Sequence, residues 1–244
     1  MSGTNTNAIP DGALDGRIAL ITGASRGIGR ALALRFAELG AHPVLVARTQ
    51  GALEEVDDEI YRITGQHATL LPLDLTDFDA IDRMGAAIFK RWGKLDILIG
   101  NAAILGSLNP MGQMDPKLWD QVMAINLTAN WRLIRSCDPL LRQSDAGRAV
   151  FVTSTVGAEP RAYWSAYAVS KAALEMMVKI YADELHKTNV TANLINPGAT
   201  RTAMRAQAMP GEYPETVKPP SDVVDDFVRL CLPDSTKNGE RIVC

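Results

Sequence analysis

The sequence predicts one doubly wound α/β domain, in which about seven parallel strands are covered by helices on both faces. Short apolar runs alternate with longer segments whose apolar residues recur at helical spacing, a pattern typical of βαβ units. The short runs are apolar throughout, as strands buried on both faces of a sheet have to be. The 244 residues fit one large domain without a linker or an internal repeat, and we expect that domain to span residues 17–244.

In the first half of the chain, strands and helices alternate regularly. The predicted strands are 17–22, 43–47, 69–73 and 95–99. The predicted helices between them are 28–39, 52–63 and 80–91, and the first two stop at Gly40 and before Gly65.

The second half continues this alternation with longer helices. Helices are predicted at 116–142, 165–187 and 222–231, and strands at 149–154, 190–195 and 241–244. Residues 199–220 are rich in Met, Ala and Pro and follow no clear period, so no regular element is predicted there.

Composition and charge argue against several classes of protein. The 25 Lys and Arg residues against 28 Asp and Glu give a net charge of −3, without the basic excess typical of nucleic-acid binding. Cys137, Cys231 and Cys244 are too widely spaced for a disulfide framework, and no metal-ligand cluster is present. No run reaches the roughly 18 apolar residues of a membrane span. Residues 1–16 are polar, so we expect a flexible tail and a cytoplasmic protein.

A glycine-rich turn, TGASRGIG at residues 22–29, joins the first predicted strand to the first helix. Gly23, Gly27 and Gly29 would permit a tight turn, a close approach of the backbone to a pyrophosphate, and close packing of helix on strand. The N–H groups at the start of the helix would face the phosphates. The alternative is a tight turn that binds no ligand.

The second predicted strand ends in Ala47-Arg48-Thr49, without the acidic residue that usually binds the ribose 2′-hydroxyl of NAD. Arg48 can pair with a 2′-phosphate, Arg26 can approach it from the glycine turn, and Ser25 can add a hydrogen bond. These residues favour NADP(H) over NAD(H). The alternative is that both arginines face solvent.

A candidate proton-transfer pair lies in the predicted helix 165–187. Tyr167 and Lys171 are one helical turn apart, and a nearby ammonium would lower the pKa of tyrosine from its usual value of about 10. Ser154, at the end of the preceding predicted strand, can bring a hydroxyl beside them. The three side chains together indicate acid–base chemistry.

The chain resembles the short-chain dehydrogenase/reductase family in its single-domain form of about 250 residues, from Gly16 to Cys244. TGASRGIG matches the family's glycine turn, and Asn126, Ser154, Tyr167 and Lys171 match its Asn-Ser-Tyr-Lys set. Other motifs of the family match Asp74-Leu75, Asn101-Ala102-Ala103, and Pro197-Gly198 with Thr200 and Thr202. Gly100 and Ala103 depart from the NNAG motif, which has Asn and Gly at these two positions.

The resemblance implies a Rossmann-like fold and an NADP(H)-dependent oxidoreductase that interconverts a carbonyl and a secondary alcohol. Tyr167 is expected to be the general acid or base, and Ser154 to bind the substrate oxygen. Lys171 is expected to hold the nicotinamide ribose and to lower the pKa of Tyr167. Asn126 is expected to support a water relay through a local irregularity of its helix.

The motifs and the resemblance together assign a set of cofactor contacts. They are Gly23, Ser25, Arg26, Gly27, Ile28, Gly29, Arg48, Asp74, Leu75, Asn101, Ala102, Tyr167, Lys171, Pro197, Gly198, Thr200 and Thr202.

The sequence indicates the partners and the substrate less specifically than the catalytic and cofactor-binding residues. The resemblance implies a small-molecule carbonyl or alcohol substrate and a homo-oligomer, either dimer or tetramer, without nucleic-acid or membrane partners. Residues 199–220 are expected to form a substrate lid, with Met204, Met209 and Tyr213 lining an apolar pocket, or else an ordinary surface loop. A 3-oxoacyl thioester is the specific substrate that the resemblance favours. The alternative function is a non-catalytic, NADP-binding regulatory protein on the same fold.

Overall fold

The computed structural model describes residues 8–244, in which seven strands form one parallel sheet with the order β3-β2-β1-β4-β5-β6-β7. The strands are β1 (Ile18–Thr22), β2 (His42–Ala47), β3 (Thr69–Pro72), β4 (Ile97–Gly100), β5 (Gly147–Val152), β6 (Val190–Asn196) and β7 (Arg241–Val243). The predicted doubly wound parallel sheet is confirmed. Because the chain builds outward in opposite directions from β1 and β4, the loops that follow these two strands diverge, and a crevice opens at the carboxyl edge of the sheet.

Helices cover both faces of this sheet. They are α1 (Gly27–Glu38), α2 (Gln50–Thr64), α3 (Phe78–Trp92), α4 (Pro116–Met123), α5 (Ala129–Leu141), α6 (Thr155–Ala158), α7 (Ser165–Glu184), α8 (Ala203–Ala208) and α9 (Val224–Cys231). One core contains Phe36, Leu53 and Phe227 from α1, α2 and α9. The core on the other face contains Leu133 from α5 and Leu174 from α7.

The continuous helix predicted at 116–142 from the apolar period is wrong, whereas the local irregularity that the resemblance implies at Asn126 is present. A π-helical turn, Ala124–Thr128, separates α4 from α5, and the Ala129 N–H bonds back to the carbonyl of Ala124, five residues earlier. Asp115 caps α4 by accepting a hydrogen bond from the N–H of Leu118. The side chain of Asn126 inside the π-turn bonds to Ile104, a residue far away in the sequence. The local apolar period carries no sign of that contact, so it predicts an unbroken helix.

The predicted tail, residues 1–16, has a different boundary in the structure. Residues 1–7 lie outside the described part of the chain. Residues 11–16 form turns that pack on the domain, with the side chain of Leu14 fully buried. The N–H groups of Leu14 and Gly16 donate to the carbonyls of Leu39 and Gly40 at 2.9 and 3.2 Å. This segment is part of the fold because the end of α1 binds its backbone.

Two segments beside the crevice also differ from prediction. The strand predicted at 149–154 ends at Val152, and Ser154 instead occupies the N-cap of the short, unpredicted helix α6. Residues 199–220, which lack a sequence period, contain α8 and the 3₁₀ turn Pro214–Thr216. A second 3₁₀ turn, Pro220–Asp222, begins at the last residue of the segment. Thr202 caps α8 by accepting from the N–H of Arg205 at 3.2 Å.

No helix within residues 8–244 has both the length and the apolarity that a bilayer crossing demands.

Candidate active site

The glycine turn forms a cradle that larger residues would fill. Gly23 and Gly27 have φ angles of +67° and +56°, in the left-handed region that favours glycine. A Cβ atom on Gly29 would lie 2.2 Å from the carbonyl oxygen of Gly23. Arg26 at the N-cap of α1 is extended and makes no side-chain cap, so N–H groups of the first turn of α1 are available to an anion.

A cavity of about 1340 Å³ extends along the carboxyl edge of the sheet from this turn to α7 and α8. It brings together most of the predicted site residues. Those that line it are Gly23, Ser25, Arg26, Gly27, Ile28, Arg48, Asn101, Ala102, Ser154, Tyr167, Lys171, Pro197, Gly198, Thr200 and Thr202. Its size suits an extended ligand together with a smaller one.

Four predicted residues are not part of the cavity wall. Gly29 is buried behind Gly23, and Leu75 belongs to the core. Asp74 is exposed and accepts hydrogen bonds from the Thr76 N–H and hydroxyl at 2.9 and 2.8 Å. These bonds lower the pKa of Asp74, and the charge of Arg48 adds to the effect. Asp74 therefore lies within electrostatic reach of Arg48.

Asn126, the fourth, is fully buried and joins two elements. Its side chain accepts from the N–H of Ile104 and donates to the Ile104 carbonyl, both at 2.9 Å. It also donates to the Ser170 hydroxyl of α7 at 3.1 Å. Its own carbonyl accepts from the Asn130 side chain at 2.8 Å. Asn126 thus fixes the loop after β4 against the helix that carries Tyr167 and Lys171.

Thr22 fixes the glycine turn against the end of β4, a role that sequence reasoning missed. Its hydroxyl donates to the Ile99 carbonyl and accepts from the N–H groups of Asn101 and Ala102 at 3.0 and 3.1 Å. The Asn101 side chain donates in return to the Thr22 carbonyl at 2.8 Å. A polar residue at the end of an apolar strand, just before Gly23, was the available signal.

Asn196 has a similar role at the end of β6 and was also missed. It donates to the Thr155 hydroxyl at 3.0 Å and accepts from the N–H of Gly198 at 3.1 Å. The turn at Pro197-Gly198 is therefore tied to the segment that follows Ser154. The signal was again a polar residue at the end of an apolar strand.

Gly100 has a steric reason for its departure from the family motif. A Cβ atom there would lie 2.3 Å from a ring carbon of Phe151 and 2.5 Å from the side-chain oxygen of Asn130. The Asn of the motif therefore does not fit beside Phe151 in this chain.

Ser154, Tyr167 and Lys171 meet at the inner wall of the cavity. The ammonium of Lys171 donates to the Val152 carbonyl at 2.7 Å and lies 5.8 Å from the centroid of the Tyr167 ring. Complete burial lowers the pKa of Lys171 to about 8, while the negative charge of Glu175 acts in the opposite direction.

The expected lowering of the Tyr167 pKa is wrong for this structure. Burial raises the pKa of Tyr167 to about 12, and a hydrogen bond with Ser154 opposes this only in part. The Lys171 ammonium faces the ring and is engaged by the Val152 carbonyl, while burial penalises the phenolate. Tyr167 therefore keeps its proton at neutral pH, as a proton donor has to.

The wall beside Tyr167 is apolar. Leu105, Val156, Trp164 and Ala208 pack around its ring, and Met204 and Met209 pack against them. Tyr213, expected to line this pocket, is instead 76% exposed and does not line the cavity, because the 3₁₀ turn at Pro214–Thr216 carries it outward.

Two side-chain contacts fix the position and the local shape of residues 199–220. The Gln207 side chain donates to the Gly106 carbonyl at 3.1 Å, which joins α8 to the loop after β4. Arg205 and Glu212 pair at 2.6 Å within the segment.

A family model described as short chain dehydrogenase matches residues 17–212 of the chain. The uncharacterized oxidoreductase YciK of Escherichia coli K12 is 40% identical over 226 residues, which are 92% of this chain and 89% of that protein. A short-chain dehydrogenase of Escherichia coli CFT073, solved in complex with NADPH, superposes with a TM-score of 0.93 at 39% identity, over 96% of this chain and 99% of that one. A 3-oxoacyl-[acyl-carrier-protein] reductase of Vibrio harveyi is 34% identical over 191 residues, 78% of this chain and 76% of that protein.

Proposed function

The chain belongs to the short-chain dehydrogenase family, and from that premise we propose that it is an NADP(H)-dependent oxidoreductase that interconverts a carbonyl and a secondary alcohol. The observation that carries this proposal is the convergence of Ser154, Tyr167 and Lys171 on the cavity that the glycine turn opens into. A protein that only senses a dinucleotide needs the turn and does not need these three side chains.

The residues present fit an NADP(H) molecule. The cradle at Gly23 and Gly29 leaves room for a backbone-bound pyrophosphate, and α1 begins at its rim. Arg26 and Arg48 line the same end of the cavity and carry the charge that a 2′-phosphate requires. The NADPH complex of the similar Escherichia coli protein supports the same assignment.

When NADPH is bound in this cavity, its nicotinamide would supply a hydride for the carbonyl carbon of the substrate. Tyr167 donates its hydroxyl proton to the carbonyl oxygen, which becomes the alcohol oxygen. Ser154 holds that oxygen beside Tyr167 by a hydrogen bond. The positive charge of Lys171 would favour the tyrosinate that remains, and the same ammonium would hold the ribose of the cofactor. In alcohol oxidation, Tyr167 takes the proton back.

The proposal includes one dinucleotide-binding and catalytic domain, to which residues 11–16 are added beyond the 17–244 expected from the sequence, with residues 199–220 as a substrate lid. The apolar wall of Leu105, Val156, Trp164 and Met204 suits a carbonyl that carries an aliphatic or aromatic group. Among such substrates, a 3-oxoacyl thioester is the specific one that we propose to test first. The Vibrio harveyi reductase, which shares 34% identity, supports this choice.

We also propose a homo-oligomer. Val169, Met176 and Ile180 form an exposed apolar stripe along α7, and Trp131 on α5 is 46% exposed. A dimer or tetramer would remove such surface from water. Light scattering coupled to size exclusion measures the mass, and a monomer at micromolar concentration would refute this part of the proposal.

The test of the activity is NADPH oxidation across a panel of ketones and 3-oxoacyl thioesters, with Tyr167→Phe as the variant. We expect turnover to fall at least ~100-fold, with NADPH affinity nearly unchanged, because only the proton donor is lost.

Tyr181→Phe is the matched control for this variant. It removes a buried hydroxyl from the same helix, where Tyr181 donates to Asp138 at 2.8 Å, away from the cavity. Its turnover should equal that of the wild type. Near-normal turnover of Tyr167→Phe, or no turnover of the wild type with any carbonyl, would refute the assignment.

A further inference from the structure

Behind Ser154, Tyr167 and Lys171 lies a charged network that the reaction just proposed does not use. Its members are Glu175, one turn beyond Lys171 on α7, and Arg241 on β7. Glu175 is only 5% exposed, an unusual position for a carboxylate unless it is paired. Arg241 donates to the Glu175 carboxylate at 2.9 Å and forms an ion pair with it.

The network holds the backbone that presents Ser154. The hydroxyl of Thr153 donates to the same Glu175 oxygen at 2.7 Å. A second nitrogen of Arg241 donates to the carbonyl of Ser154 at 3.2 Å. Glu175 and Arg241 therefore hold both residues that follow β5, at the point where the chain turns into α6.

The packing around this network leaves it little freedom. A Cβ atom on Gly157 would lie 2.9 Å from a Glu175 oxygen and 3.0 Å from the Thr153 hydroxyl, so glycine lets α6 close directly over the ion pair. The Lys171 ammonium is held on the neighbouring carbonyl, that of Val152. The carbonyls of Val152 and Ser154 are thus held by Lys171 and Arg241. Glu175 pairs with Arg241, and its negative charge also acts on the Lys171 ammonium, one helical turn away in the buried part of α7.

We infer that Glu175 and Arg241 are positioning residues of the site. Arg241 orients Ser154 and compensates the negative charge of Glu175, and the Glu175 carboxylate keeps Lys171 in its charged form. The inference rests on the proposed function, because it assigns these residues to the same proton-transfer site. The titratable groups that face or act on Lys171 are Tyr167 and Glu175 on its own helix, and Arg241 from β7 pairs with Glu175.

The first measurement is the pH profile of carbonyl reduction in Glu175→Gln and Arg241→Met. Loss of the carboxylate makes the Lys171 ammonium easier to deprotonate. In Glu175→Gln we therefore expect the alkaline limb of the pH profile, where turnover falls, to lie about one pH unit lower than in the wild type. Loss of Arg241 leaves the negative charge of Glu175 uncompensated, which favours the charged form of Lys171. The alkaline limb of the pH profile of Arg241→Met should therefore not shift to lower pH. The turnover of Arg241→Met should nevertheless fall about 10-fold, because Ser154 loses its anchor.

Two further variants separate positioning from general damage. Glu175→Asp keeps the negative charge and should return the upper limb toward that of the wild type. Arg132→Met breaks the ion pair between Arg132 and Asp82, which does not line the cavity. The side chain of Arg132 is 23% exposed, the same fraction as that of Arg241. Arg132→Met should leave the pH profile of turnover unchanged.

The second measurement uses the cofactor-free protein, so that it does not depend on turnover. At neutral pH Lys171 is charged and Glu175→Gln has lost the charge that compensates it. Above about pH 9, Lys171 is neutral in both proteins, because its pKa is about 8 or lower. The Tm deficit of Glu175→Gln should therefore be larger at neutral pH and shrink as the pH rises.

These outcomes separate the two proposals. Equal shifts of the pH limb in Glu175→Gln and Arg241→Met, or a Tm deficit independent of pH, would overturn the positioning roles. A wild type without turnover but with the pH-dependent Tm deficit would refute the proposed activity alone.

Discussion

Replacement of Arg48 by Asp tests the cofactor assignment most directly. Arg48 follows β2, is exposed and lines the cavity near the glycine turn. Its guanidinium lies close enough to Asp74 to help lower the pKa of that carboxyl. Arg48→Asp therefore removes the cation expected to pair with a 2′-phosphate and places a second carboxylate in the same region.

The size of the effect follows from charge and exposure. A hydrogen bond to a charged group contributes roughly 1.5–3 kcal/mol, and the exposure of Arg48 places its pair at the low end of that range. The new carboxylate would face a phosphate that carries up to about two negative charges. The repulsion between two like charges at 4 Å in water costs roughly 1 kcal/mol for each pair. The sum is up to about 3.5 kcal/mol, or a loss of NADPH affinity of up to roughly 300-fold. NADH lacks the 2′-phosphate, so its affinity should change little.

The assay is the dissociation constant of NADPH and of NADH by titration calorimetry, at one fixed salt concentration because exposed charges are screened. Arg62→Asp is the matched control. It makes the same change of charge at an exposed arginine that does not line the cavity. Equal wild-type affinities for NADPH and NADH, or equal losses of NADPH affinity in the two variants, would show that Arg48 does not bind the 2′-phosphate.

Three other results are expected. Gly29→Ala should abolish measurable NADPH binding in calorimetry, because the new Cβ would lie 2.2 Å from the Gly23 carbonyl oxygen and force the cradle apart; retained affinity would contradict the cradle. Lys171→Ala should weaken NADPH binding and lower turnover together, since one ammonium serves ribose and tyrosinate; an unchanged dissociation constant would refute the ribose contact. Carbonyl reduction should be constant at neutral pH and fall above about pH 8 as Lys171 loses its proton, while Tyr167, with its pKa near 12, stays protonated; a stopped-flow profile that is flat to pH 10 would contradict this.

Much of the fold can be predicted from the sequence because the relevant patterns are local. Apolar runs and helical periods predict the seven strands and their order along the chain, and parallel pairing follows from the helices between them. The glycine turn is equally local, since Gly23, Gly27 and Gly29 and the start of α1 lie within one short segment. For the same reason, the spacing of Tyr167 and Lys171 on one helix face could be read directly.

Several departures from prediction depend on residues that meet only in the tertiary structure. The turn at Asn126 interrupts a helical period because its side chain bonds to Ile104, and residues 11–16 belong to the domain because the end of α1 binds them. Glu175 and Arg241 are 66 residues apart in sequence, so no local pattern pairs them.

The protonation state of the site was also a matter of tertiary structure. The sequence places a cation one turn from Tyr167 and by itself indicates a lowered pKa. The structure buries the phenol and turns the Lys171 ammonium toward the Val152 carbonyl, so the pKa rises instead. Spacing along a chain determines which groups can approach each other, whereas the sign of a pKa shift depends on how much water the fold removes from each group and on which partners replace it.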